Sequence, residues 1–321
     1  MSMVWQWVLF HVLIGIAMWI DLGVVHKHPE RITTKKALTW SAVWVSLALL
    51  FCAGIYVVDG AHQAVLFLTG YLVEQSLSVD NLFVFYVIFQ YFHTPKKYEH
   101  RILFWGIIAA LVMRLGFILL GVALLERFHW LVYVLGLFLI FTAVKLAVSK
   151  DQKVDPSPTL IFRWLKPFMS GHSYESGAFF VKKNGKWLLT PSLVVLLVID
   201  WTDLVFALDS IPAILGITTD PFIVYTSNAM AILGLRSWYS ALGKLIVAFH
   251  HLHHGLAVIL AFVGVKMIIH DWYEIPTLWA LGVVVGVLAT TVISSIWSRK
   301  RNEARGETPP RHHEHRHSRD G

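Results

Sequence analysis

The sequence predicts an all-α polytopic membrane protein with about nine transmembrane helices. Of its 321 residues, 56% are hydrophobic and only 15% are charged, which leaves too little polar surface for a soluble globule. Mostly apolar stretches of about 20 residues, the length that crosses a bilayer as a helix, recur along the chain. The charges of the connecting loops also alternate in the way that a membrane topology requires.

Each apolar stretch is assigned to one helix, in chain order. The first stretch lacks the basic region and the small-residue cleavage site of a signal peptide, so it is interpreted as a retained transmembrane helix. Residues 1–63 then hold two helices, and residues 271–298 hold the last one. The nine predicted segments are 4–25, 37–58, 64–92, 102–124, 129–149, 189–217, 222–247, 251–270 and 276–298.

Loop charge predicts how these helices are oriented. The first, third and fifth loops and the C-terminal tail are basic, whereas the second, sixth and eighth loops are acidic. The positive-inside rule therefore places the N-terminus outside and the C-terminus in the cytoplasm. The formal net charge of +7 forms no basic stripe with interleaved aromatics, so the expected partner is the lipid bilayer and not nucleic acid. Residues 299–321 are rich in Arg and His, and they predict a disordered cytoplasmic tail.

Segments three to five are predicted to repeat as segments six to eight. Aligning Asp80 with Asp209 also aligns Glu74 with Asp203, and the similarity continues through the two following helices. Because three crossings is an odd number, the second copy enters from the opposite face. The result is an inverted repeat of three helices, a common transporter architecture. The predicted units are repeat one at 64–149, a cytoplasmic linker at 150–188 and repeat two at 189–270.

Two local signals refine this picture. The linker contains an Asn184-Gly185 step, a dipeptide that favours a two-residue β-hairpin turn. In the second repeat, Pro212 has no N–H to donate to the carbonyl of Leu208. We therefore expect a helix breaker and a free carbonyl oxygen next to Asp209.

An acidic motif lies inside one apolar helix of each repeat. The two motifs are Glu74-Gln-Ser-Leu-Ser-Val-Asp80-Asn81 and Asp203-Leu-Val-Phe-Ala-Leu-Asp209-Ser210. A carboxylate in mid-membrane costs roughly 2.5 to 3.5 kcal/mol on insertion scales, so these acids predict a functional site. Helical residues six positions apart differ by about 9 Å along the axis and about 120 degrees around it, so neither motif holds an ion alone. The ligands must converge from both motifs.

The expected site pairs Asp80 with Asp209 near the axis that relates the repeats, with Glu74 and Asp203 further out. All candidate ligands are oxygen donors, which suit hard ions such as Mg, Ca or Mn. The predicted ligands are Glu74, Asp80, Asn81, Asp200, Asp203, Asp209 and Ser210, with Ser76, Ser78 and Thr202 as weaker candidates.

The alternative is that these acids only form structural ion pairs with Arg114 and Arg236. Five intramembrane acids face these two central arginines. Lys145 and Lys266 lie near helix ends, where their amines can snorkel to the interface. The surplus of negative charge favours a bound cation or protons.

Some further residues are candidates for an accessory metal site. Asp21, toward the end of the first helix, is either an entry ligand or a helix-end charge. Four histidines at a predicted cytoplasmic helix junction either collect a metal or bind nothing specific. The lone Cys52 argues against thiolate metal sites, and the absence of a G-x-x-x-x-G-K-[ST] loop argues against ATP-driven pumping. The four histidines are His250, His251, His253 and His254.

Three strings of the sequence are long and specific, namely Ser76-Leu-Ser-Val-Asp80-Asn81-Leu-Phe-Val-Phe85, Phe206-Ala-Leu-Asp209-Ser210-Ile-Pro212-Ala213 and Asp220-Pro-Phe-Ile-Val-Tyr-Thr-Ser-Asn228 with Ala231-Ile-Leu-Gly-Leu-Arg236. They resemble the TerC family of membrane proteins, including its Alx-type members, over roughly residues 5–298. The resemblance implies an inner-membrane protein, a historical link to tellurium resistance and, for Alx-type members, manganese export. The acidic positions of the family fall on Glu74, Asp80, Asp203 and Asp209. Asp200 departs from the pattern, since relatives more often carry Glu there.

We therefore expect a secondary transporter that exports a divalent cation, with Mn2+ as the favoured ion, by rocking of the two repeats around the acidic site. Neither enzymatic activity nor a bound cofactor is expected. The alternative is a non-transporting membrane metal sensor or scaffold in a stress-response complex. An intramembrane aspartyl protease is disfavoured because the sequence lacks a Gly-x-Gly-Asp motif. The coupling ion and any protein partners are left open.

Overall fold

The computed structural model describes residues 3–20, 34–148, 178–183, 186–239 and 252–304 of the chain. These described residues form nine helices and one two-stranded hairpin. The helices are α1 Met3–Ile20, α2 Thr34–Asp59, α3 Ala61–Tyr91, α4 Lys96–Arg127, α5 Leu131–Val148, α6 Pro191–Leu215, α7 Pro221–Leu233, α8 Leu252–Ile269 and α9 Thr277–Ala304. The strands are β1 Phe180–Lys183 and β2 Lys186–Leu189.

Six of the described helices are long and apolar enough to cross a membrane. They are α2 to α6 and α9, whereas α1 and α8 are shorter apolar helices. In lipid a continuous helix satisfies all its own backbone hydrogen bonds, which is why such stretches become helices and not irregular chain. The prediction of an all-α polytopic membrane protein is confirmed.

Local sequence explains where the helices of the second repeat begin. Thr190 caps α6 by accepting a hydrogen bond from the backbone N–H of Leu193 at 3.4 Å, and Pro191 takes the first helical position. Asp220 caps α7 in the same way, by accepting from the backbone N–H of Phe222 at 2.9 Å. Each cap fixes the entry of a helix that contributes to the site described below.

Pro212 lies inside α6 without breaking it, contrary to the prediction. The helix continues to Leu215, and the backbone N–H of Gly216 donates to the carbonyl of Pro212 at 2.9 Å. The proline falls in the last turn of the helix, so few residues beyond it depend on regular hydrogen bonding. The second acidic motif therefore lies on an unbroken helix.

Two predicted boundaries are wrong. The segment predicted at 222–247 is not one helix, because a turn at Gly234 follows α7 and precedes a short helical stretch at 235–239. Glycine costs about 1 kcal/mol in a helix interior relative to alanine, which favours the turn there. At the other end of the chain, α9 continues to Ala304 and passes the predicted start of the tail at 299.

The predicted hairpin is confirmed. β1 and β2 are antiparallel, with Phe180 opposite Leu189 and Lys183 opposite Lys186. That register leaves a two-residue connection at 184–185, which lies outside the described residues. The linker thus contains a small sheet immediately before α6.

Helices of the two predicted repeats pack in matching pairs. α4 packs against α6, and in the same way α7 packs against α3. In addition, α3 contacts α6 and α4 contacts α7. α5 and α8, the last helices of the two repeats, form the most extensive helix pair, with Gly136 opposite Gly264. A twofold axis between the repeats would relate these same pairs. The inverted repeat itself stays a prediction.

A polar contact joins the start of α5 and the turn before it to the turn after α8. The Tyr133 hydroxyl donates to the carboxylate of Asp271, and Nε2 of His129 lies 3.2 Å from the same carboxylate. These hydrogen bonds, from Tyr133 first and His129 second, lower the pKa of Asp271 below its ordinary value. Asp271 is therefore a carboxylate at neutral pH and can link the start of α5 to the turn after α8.

Candidate functional site

A buried guanidinium lies at the centre of the candidate site. Arg114 is 1% exposed and lies near the middle of α4. Its Nη1 forms a hydrogen-bonded ion pair with Glu74 of α3. Its Nη2 and Nε donate to the two carboxylate oxygens of Asp203 of α6 at 3.1 and 3.2 Å, a bidentate pairing. One arginine therefore joins the leading acids of both motifs.

Asn228 of α7 adds a fourth helix to this cluster. Its Oδ1 accepts from Nη1 of Arg114 at 2.9 Å, and its Nδ2 donates to Oε2 of Glu74 at 3.1 Å. Asn228 is only 1% exposed. Asn228 lies in one of the strings that resemble the family, but this role for it was not predicted. The available signal was an amide in an apolar helix, because a buried polar side chain needs hydrogen-bond partners.

Two hydroxyls complete the surroundings of the ion pairs. Nη1 of Arg114 lies 3.4 Å from Oγ of Ser210, and Ser78 donates to Oε1 of Glu74 at 3.4 Å. Ser78 follows Glu74 by four residues and Ser210 follows Asp203 by seven, so each motif helix presents its acid and its hydroxyl on one face. Two weaker candidates donate instead to carbonyls of their own helices, at 2.6 Å for Ser76 and 2.7 Å for Thr202.

The other predicted ligands have different surroundings. Asp209 is partly buried and accepts a hydrogen bond from Thr142 of α5 at 3.2 Å. Asn81 is buried, and its Nδ2 has no hydrogen-bond partner among the described residues. Within the same part of the chain, Oδ1 of Asp200 is also buried without a partner. Each motif helix therefore carries a polar atom that the described structure leaves unpaired.

The leading acids of the two motifs lie together. Glu74 and Asp203, expected further from the centre, meet at Arg114. Both acids therefore pair with Arg114, as the ion-pair alternative predicts. The side chain of Asp80 lies outside the part of the chain that the structure describes, so the pairing of Asp80 with Asp209 stays a prediction.

The remaining cations of the membrane region have distinct positions. Lys266 of α8 is 8% exposed and its Nζ donates to the carbonyl of Gly216 at 3.2 Å, so the prediction that it snorkels is wrong. This carbonyl lies at the C-terminal end of α6, where the helix dipole favours a cation. Lys145 of α5 is exposed. Arg236 is buried on the short helical stretch after α7.

Most of the accessory metal candidates lie outside the described residues. Across the described residues, no group of three or more His, Cys, Asp or Glu side chains is placed to hold a metal ion. Asp21, His250, His251 and the side chain of His253 lie outside the described residues, and His254 is exposed near the start of α8.

The charges of the cluster do not cancel. The two carboxylates and one guanidinium carry a net charge of −1 when all three are ionised. Removing one partner of a buried ion pair typically costs about 3–5 kcal/mol, because the other charge is left without compensation. The cluster therefore links four helices and can accept a further positive charge, either a cation or a proton.

The sequence is similar to known membrane proteins over most of its length. A family model described as the integral membrane protein TerC family matches residues 59–303. An uncharacterized membrane protein of Myxococcus xanthus, STKORF319, is 47% identical over 278 residues, which cover 86% of this chain and 87% of that protein. A protein of Escherichia coli K12, provisionally named membrane-bound redox modulator Alx, is 42% identical over 311 residues, which cover 92% of this chain and 96% of that protein. No solved structure matches the chain.

Proposed function

The chain belongs to the TerC family of integral membrane proteins, and from this membership and its buried acidic cluster we propose that it is a secondary transporter of a divalent metal cation. The proposed cargo is Mn2+, exported across the inner membrane, with the N-terminus outside and the C-terminus in the cytoplasm. The two predicted repeats supply the halves that move around the site. Direct transport of tellurite is disfavoured, because an oxyanion would meet net negative charge.

The convergence of Glu74 and Asp203 between membrane-crossing helices is the observation that supports this proposal. Acids in such helices are costly and typically mark ion pathways. Arg114 offsets only one of these two charges, and α6 carries further acids at Asp200 and Asp209. Their oxygen atoms match the ligand preference of hard divalent cations. A cation that enters the site would neutralise the surplus charge.

The name of the Escherichia coli relative points instead to redox chemistry. In this chain the only cysteine is Cys52, which is partly buried and donates to the carbonyl of Ala64 at 3.4 Å. A single cysteine cannot cycle between a dithiol and a disulfide within one chain. A redox role would therefore need a second thiol or a cofactor from elsewhere, whereas cation transport uses groups that this chain contains.

The proposal is tested by flux measurement with the full-length protein in liposomes. The liposomes enclose a dye that Mn2+ quenches, and Mn2+ entry is followed under an imposed proton gradient. We expect saturable entry with the natural sequence and loss of most of it in Glu74→Gln and in Asp203→Asn. Glu126→Gln is the matched control, because Glu126 is an exposed acid at the end of α4.

Three outcomes would count against this assignment. Undiminished flux in both acidic variants would show that the cluster does not carry the ion. Flux of Mg2+ or Ca2+ in place of Mn2+ would keep the transporter and change its cargo. Saturable binding of Mn2+ without any flux would favour the metal sensor or scaffold.

A further inference from the structure

The guanidinium of Arg114 is surrounded by oxygen atoms from four side chains. Nη1 contacts the carboxylate of Glu74, the amide oxygen of Asn228 at 2.9 Å and the hydroxyl of Ser210 at 3.4 Å. Nη2 and Nε contact Asp203 at 3.1 and 3.2 Å. Carboxylate, amide and hydroxyl oxygens are also the ligands that a hard divalent cation takes. The guanidinium therefore occupies the position in which these oxygens would hold such an ion.

A further carboxylate oxygen lies one turn earlier on α6. Oδ1 of Asp200 is buried and has no hydrogen-bond partner within the described ranges. It lies beside α4, since a Cβ added at Gly106 would be 3.3 Å from it. Gly106 precedes Arg114 by about two turns, and side chains on a helix lean toward its N-terminus. Asp200 is therefore on the side toward which Arg114 leans.

We propose that Arg114 is an internal competitor for the transported cation, an inference that rests on the proposed transport function. In the empty site the guanidinium pairs with Glu74 and Asp203. When a divalent cation enters, these two carboxylates hold the ion and the guanidinium moves to Asp200. A buried charge without a partner is strongly destabilising, so the movement needs the acceptor that Asp200 provides.

Charge balance supports this exchange. The formal charges of the two carboxylates and the guanidinium sum to −1. With a divalent cation in place of the guanidinium they sum to zero. The competitor lowers the affinity of the resting site for the ion. Arg114 also pairs with the two acids after the ion leaves. The empty transporter can then return to its other access state without two unpaired carboxylates.

The test measures Mn2+ affinity of the full-length protein in detergent micelles, from the paramagnetic resonance signal of the free ion. Arg114→Gln should bind Mn2+ about tenfold or more tightly, within the range of about 5- to 150-fold that couplings between sites usually span. Asp200→Asn should bind it more weakly by a similar factor. The double variant should match Arg114→Gln, because no guanidinium remains to be accommodated. Glu126→Gln should keep the natural affinity.

The outcomes separate this inference from the proposed function. A folded Arg114→Gln variant with equal or weaker affinity would refute the competitor, since a purely structural arginine predicts that result. If Arg114→Gln does not fold, unchanged or tighter binding in Asp200→Asn refutes it equally well. If the natural protein transports Mn2+ but these variants bind it normally, only the competitor is wrong. If the natural protein neither binds nor transports a divalent cation, both proposals fail.

Discussion

Replacing Gly264 with alanine should destabilise the protein, because α5 and α8 approach to backbone contact there. A Cβ added at Gly264 would lie 2.7 Å from the carbonyl oxygen of Gly136 and 2.9 Å from Cγ1 of Ile140. A backbone oxygen cannot rotate away as a side chain does, so the two helices must separate along their most extensive contact. Overpacking of this kind typically costs about 1–3 kcal/mol.

A glycine in open surroundings provides the control. A Cβ added at Gly116 in α4 would meet nothing within 4 Å. Gly116→Ala should therefore leave stability unchanged or raise it by up to about 1 kcal/mol, the difference in helix propensity. Both variants are compared by reversible unfolding in mixed micelles, followed by the fluorescence of the 14 tryptophans. Equal stability changes in Gly264→Ala and Gly116→Ala would refute the close crossing of α5 and α8.

Three further predictions concern single polar contacts. Asn228→Leu should lower stability by about 1–3 kcal/mol in the same unfolding assay, because Glu74 loses a buried donor. Asn81→Leu should instead raise stability, because it removes an unpaired buried amide from the motif. The same change should lower Mn2+ flux. A fall in stability would show that the amide is paired. The lowered pKa of Asp271 means that its contact with Tyr133 stabilises the fold at neutral pH and stops doing so as pH falls through that pKa. The difference in thermal midpoint between the natural protein and Asp271→Asn should therefore shrink as pH falls below the ordinary pKa range of aspartate, and a constant difference would contradict this.

Hydrophobic length predicts most of the helices, because a helix is the simplest structure that satisfies the backbone of a long apolar segment in lipid. Their ends are less predictable. The turn at Gly234 depends on the low helix propensity of one glycine inside a longer apolar stretch. The extension of α9 to Ala304 depends on polar residues that stay helical beyond the apolar segment. Hydrophobicity alone therefore locates neither helix end.

The site was only partly predictable for a different reason. Motif spacing indicates that acids from two helices must converge, but not which acids meet. That choice depends on how α3 and α6 are rotated and tilted against each other, which is a property of packing and not of either sequence. Charge counting finds Glu74, Asp203 and Arg114, but it cannot find Asn228. The amide is uncharged, and it links Arg114 to Glu74 only once four helices are assembled.

An exact inverted repeat would give the two halves of the site equivalent groups, and the cluster does not have them. α4 contributes Arg114, whereas its predicted counterpart α7 contributes Asn228. The chain turns at Gly234 before it reaches Arg236, the predicted equivalent of Arg114. If transport exchanges the conformations of the two repeats, the guanidinium and the amide also exchange environments. We therefore expect the two access states to differ in energy, with the empty site favouring the state in which Arg114 is fully paired.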